Sequence, residues 1–172
     1  MKRLAIVLVL LGLAASAPAR QFVAKPETFQ CLLDGTKAPG KHFYVFHRNK
    51  AALRRALHKI ETDKMGNGLP VGTVLQLVPF EAMVKRGRKF NRDGHGWEYF
   101  SLNPKADGTT EIILRGKTEV LSAFTHTSCQ DCHENRAAQH DAICEFVQGT
   151  AGIGLTDDLL AVLQNADPRC KK

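Results

Sequence analysis

The run Cys129-Gln130-Asp131-Cys132-His133 constrains this chain more than any other stretch of it. Two thiols three positions apart, followed at once by an imidazole, form the attachment signature of a c-type haem. The thiols add to two vinyl groups, and the imidazole reaches the iron from the same side. The spacing predicts Cys129 and Cys132 as cofactor-binding anchors for one covalently attached haem c, with His133 as the metal ligand. A redox dithiol instead wants a strand before the pair and a helix whose N-terminus stabilises the thiolate. A zinc site needs further ligands, which Cys144 and His140 supply on paper.

Residues 1–19 have the parts of a secretory signal: Lys2 and Arg3 at the start, an apolar run from Ile6 to Leu13, and Ala17-Pro18-Ala19 as a small-residue cleavage site. The apolar run is shorter than the roughly 20 residues a membrane helix needs, and no second run is long enough to span. The expectation is a cleaved signal peptide over 1–19, no permanent membrane anchor, and one domain over 20–172 in the periplasm. The formal net charge is +7 over 172 residues, and its densest patch is Lys85-Arg86-Gly87-Arg88-Lys89 with Arg92. That patch reads as a solvated loop face or as a surface for an acidic periplasmic redox partner. With no recognition motif beside it, nucleic acid is excluded as a partner.

Outside the motif stand Cys31, Cys144 and Cys170. In an oxidising compartment one pair closes a disulfide. Cys31 with Cys170 is the first choice, since that bond would hold both ends against the domain. Cys144 sits in an apolar helical pattern and reads as a buried thiol.

The fold reads as α+β, a predominantly antiparallel β-sheet meander with flanking helices around one covalently bound haem. Gln21 to Gly40 is an irregular arm. Asn49 caps a helix that puts Leu53, Ala56, Leu57 and Ile60 on one face, stopped by Gly66, Gly68 and Pro70. Val71–Val78, Trp97–Leu102, Thr109–Arg115 and Thr118–Phe124 read as strands separated by tight turns. Phe80–Lys89 is open between helix and strand. An amphipathic helix with Ile143, Phe146 and Val147 follows the motif, and Thr156 caps a last one through Leu159, Leu160 and Leu163.

A sixth iron ligand has several candidates: Met65, Met83, His126, His140 and His47. Met65 lies in a Gly-rich turn and Met83 serves equally as core filler, so an open iron face is expected. Phe43, Phe46, Phe80 and Phe124 are candidates for a dry distal pocket or for ordinary sheet core. Glu98 is a candidate catalytic proton acceptor, and Arg48 a candidate contact for an anion; each is otherwise a surface charge.

Leu69-Pro70-Val71-Gly72-Thr73-Val74, Gly96-Trp97-Glu98-Tyr99-Phe100, Cys129 to His133 and Asp141 through Phe146, in that order, resemble the cytochrome P-460 and cytochrome c'-beta group of bacterial haem proteins. The resemblance implies an antiparallel sheet with helices, a homodimer, and a five-coordinate iron on its proximal histidine. It implies nitric oxide or a similar small ligand at the open iron, as in the c'-beta members, or hydroxylamine oxidation, as in the P-460 members. The P-460 lysine cross-link is expected on the strand after Pro70-x-Gly72-Thr73-Val74. No lysine stands there, and Lys85 or Lys89 would have to be brought back by a loop. Simple electron transfer between periplasmic partners is the third reading.

Overall fold

The computed structural model describes residues 21–148 and 154–170. The expected signal peptide and its cleavage site lie outside the described residues.

The sheet grows strand by strand in chain order: β1 (Thr36–Lys37), β2 (Tyr44–Phe46), β3 (Val74–Val78), β4 (Glu81–Lys85), β5 (Trp97–Pro104) and β6 (Thr110–Gly116), every neighbouring pair antiparallel. This is the expected α+β meander, with boundaries shifted. Pro70 to Gly72 turns instead of extending, so β3 begins at Val74. The open segment at Phe80 resolves into a strand, β4. The strand expected over Thr118–Phe124 is not formed: that segment is mostly turn, with a single bridge between Leu121 and Ser128.

Register decides which side chains meet. Val45 lies opposite Leu75, Leu75 opposite Met83, and Met83 opposite Tyr99, so four apolar residues form one row across β2 to β5. Because side chains alternate along a strand, the neighbouring row of Phe46, Val74, Val84 and Glu98 belongs to the other face.

Helix α1 (Lys50–Thr62) starts at Asn49, whose side chain accepts from the Ala52 amide at 3.0 Å. It lays Ala56 and Ile60 on the first face, where they join Val45, Leu75, Met83, Trp97 and Tyr99 in one buried cluster. The second face is covered by Ala24 and Phe29 from the N-terminal arm, packed on Val74, Val84 and Phe100. Helix α4 (Asp157–Asn165), capped by Thr156, buries Leu160 against Val78. Its Gln164 amide donates to the carbonyls of His42 and Leu77, both at 2.8 Å. Two further helices, α2 (Cys129–Ala137) and the short α3 (Glu145–Gln148), lie between the sheet and α4 in the chain.

Cys31 and Cys170 are joined by a disulfide across 139 positions, the pairing expected from the sequence. The covalently bound haem expected as part of the fold is corrected here: Cys129, Cys132 and Cys144 carry free thiols, and the cross-link lies at Cys31–Cys170.

Candidate functional site

Helix α2 opens at Ser128, whose hydroxyl accepts from the Asp131 amide at 3.2 Å. Starting the helix at Cys129 places Cys129, Cys132 and His133 at i, i+3 and i+4, one face of one turn. The Cys129 amide donates to the Val120 carbonyl at 2.9 Å, which fastens that turn to the segment before it. All three side chains line a cavity of about 130 Å3, walled by Phe43, Leu75, Met83, Phe124 and Ile143.

The floor of this cavity is chemically distinct from its walls. Nδ1 of His133 lies 2.6 Å from the Ala142 carbonyl oxygen. A carbonyl only accepts, so Nδ1 holds the proton and Nε2 keeps its lone pair. Burial lowers the His133 pKa, which keeps the ring neutral. Tyr99 sits beside it, ring centroids 5.3 Å apart, with a buried hydroxyl that has no partner among the described residues. Burial pushes the thiols of Cys129 and Cys144 up to about 12, so both are protonated at neutral pH. Glu81, also at the cavity, is raised by burial against the lowering effect of the Ala123 amide.

The other expected residues are distributed by the register. Phe43 and Phe124 line the cavity, and Phe80 packs on Phe124 with centroids 5.7 Å apart. Phe46 and Arg48 instead line a second cavity of about 200 Å3. Glu98 is 3% exposed and is held by Arg86 and by Arg115, the latter at 2.8 and 2.9 Å. It stands in the row of the sheet face opposite Tyr99. Met83 lines the cavity and Met65 is core. His140 stacks on Phe146 and meets Asp63, while His47 accepts from the Asn49 amide and donates to the Val71 carbonyl. Lys89 is exposed, but Lys85 is 3% exposed and paired with Asp141, so the basic patch is not one solvated face.

No family model matches the chain, and no curated protein or solved structure matches it. The resemblance to the cytochrome P-460 and c'-beta group is therefore not upheld, and the haem c reading is corrected with it. The cavity at Cys129, Cys132 and His133 measures about 130 Å3, close to the roughly 150 Å3 that takes a benzene molecule. Nitric oxide binding at a haem iron, hydroxylamine oxidation and haem electron transfer lose their basis together. Among the described residues, the one group of three donors within 4.8 Å of one another is Cys31, Asp167 and Cys170, whose two sulfurs are already bonded to each other. The expected homodimer came with the resemblance and the expected redox partner with the basic patch, and nothing among the described residues supports either. No helix among the described residues is long and apolar enough to cross a membrane.

The sequence reading missed Tyr99, Leu75 and Ile143 as cavity residues. Period-two alternation from Trp97 was available as a signal for Tyr99, but the face it took was set by the register against Met83.

Proposed function

We propose that this protein binds a small, largely apolar molecule in the cavity over α2, with Nε2 of His133 as its hydrogen-bond acceptor. The observation that carries the reading is the half-buried neutral imidazole at the floor of a largely apolar cavity of about 130 Å3. A benzene-sized ring fills that volume by dispersion and loss of hydrated surface. A hydroxyl on the ring gives Nε2 a donor, which none of the described residues supplies. A phenol-like occupant satisfies both conditions, and Cys132 stands as a thiol at the same wall.

The reading extends to location. The signal features of residues 1–19 support export to the periplasm, and the Cys31–Cys170 disulfide suits an oxidising compartment.

Thermal unfolding with phenol and with benzene tests the binding. A ligand that binds only the folded state raises the midpoint in proportion to its occupancy. Phenol should raise it more than benzene does, and His133→Phe should abolish that preference. No shift with either compound at millimolar concentration would overturn the reading.

A further inference from the structure

The carbonyl that sets the His133 tautomer belongs to an unusual stretch of backbone. Asp141 and Ala142 both have positive φ, 56° and 61°, without being glycine. Such residues persist only where the surroundings over-determine them, and here the surroundings converge on Asp141. Its Oδ2 accepts from the Leu69 amide at 2.9 Å, its backbone carbonyl accepts from Trp97 Nε1 at 2.7 Å, and its Oδ1 accepts from Lys85 Nζ. Lys85 is held in turn by the His95 carbonyl at 2.6 Å and by the Trp97 ring, 4.7 Å from its ammonium. A Cβ on Gly68 would sit 2.8 Å from both Asp141 Oδ1 and Lys85 Nζ, so the close approach of that turn requires glycine. The Ala142 amide, donating to Ala137 at 2.9 Å, ties the same turn to the end of α2.

We infer that Lys85 is a positioning residue for His133: its buried ion pair with Asp141 holds the 141–142 turn that aims the Ala142 carbonyl at Nδ1. The inference rests on the proposed role of Nε2 as the acceptor in the cavity. Lys85 touches neither the cavity nor a ligand; it acts through two backbone units. The pair, buried at 3% and 4% exposure, is an expensive way to hold a loop unless its geometry matters.

The test is the tautomer of His133, read from ring 15N shifts in histidine-labelled full-length protein at neutral pH. The unmodified protein should show His133 protonated at Nδ1 alone. Asp141→Asn, nearly isosteric and still able to accept from Leu69, should give a folded protein with a mixture of tautomers and phenol binding weakened about fivefold, the worth of one ordinary hydrogen bond. Lys85→Met should do the same, while Leu160→Ala, a core truncation on α4, should lower stability and leave the tautomer alone. A folded Asp141→Asn or Lys85→Met protein with pure Nδ1–H would overturn the inference. So would an unmodified protein protonated at Nε2, whether or not the variants fold. Tautomer changes in the variants without any phenol binding would sustain this inference while the binding proposal failed.

Discussion

Asp167 and Arg169 form an ion pair in which neither side chain has any exposed surface, with Nη2 2.7 Å from Oδ2. The guanidinium also reaches the carbonyls of Phe29 and Pro79 and the Thr110 hydroxyl, and Asp167 accepts from the Leu32 amide. One residue pair thus joins the N-terminal arm, the β3–β4 turn and the sheet edge.

Replacing Arg169 by Met should therefore destabilise the fold by about 3–5 kcal/mol, because a buried carboxylate is left unpaired. Urea unfolding measures it. The same pair gives a pH dependence with a fixed sign. Burial alone would raise the Asp167 pKa, but hydrogen bonds from Arg169 and the Leu32 amide outweigh it and hold the value below normal. A depressed carboxylate stabilises the fold above its unfolded pKa of about 3.9 and loses that contribution as pH falls through the lower folded value. Stability should fall through this acid window in the native protein and less steeply in Asp167→Asn.

Glu98 should behave as a structural residue. It lies between Arg86 and Arg115 on the sheet face away from the cavity. Glu98→Gln should cost stability on the scale of a broken buried pair, about 3 kcal/mol, while leaving phenol affinity unchanged in the protein that folds. Loss of binding with stability intact would put Glu98 back among the site residues.

Reduction of the Cys31–Cys170 bond releases a loop of 139 positions, worth about 5 kcal/mol in the chain-entropy model. Dithiothreitol should lower the urea midpoint accordingly, with two further thiols titrating on unfolding.

The three remaining thiols should react in a set order. Cys132 is partly exposed, whereas Cys129 is 8% exposed and, like Cys144, raised to about 12 by burial. Ellman's reagent should label Cys132 first in the native protein and all three after denaturation. A single adduct already shared by Cys129 and Cys132 in the intact mass of the purified protein would overturn their assignment as free thiols.

Much of the fold is written in local pattern. Asn49 and Thr156 are caps because their side chains accept from amides three residues on, a signal carried by four consecutive positions. The Cys31–Cys170 pairing was legible because burial left Cys144 the poorer candidate. The environment of Lys85 was not legible. Its neighbours Arg88 and Lys89 are exposed, and the Asp141 carboxylate that pairs with it lies 56 positions away. The motif at Cys129 was read for haem attachment and not as part of a helix, which α2 shows it to be, and the size of the cavity above it depends on how β3, β4 and β5 align, which no window of sequence contains.

The spacing of the disulfide also sets an order of events during synthesis. Cys31 emerges first and must stay unbonded while 139 further positions follow, so Cys129, Cys132 and Cys144 all reach it before Cys170 does. Each is a competing partner in the nascent chain. Once α2 docks beneath the sheet, Cys129 and Cys144 are withdrawn into protonated, sheltered positions where exchange is slow. Burial thereby takes two of the three competing thiols out of exchange, so that Cys132 alone still competes with the last cysteine for the first.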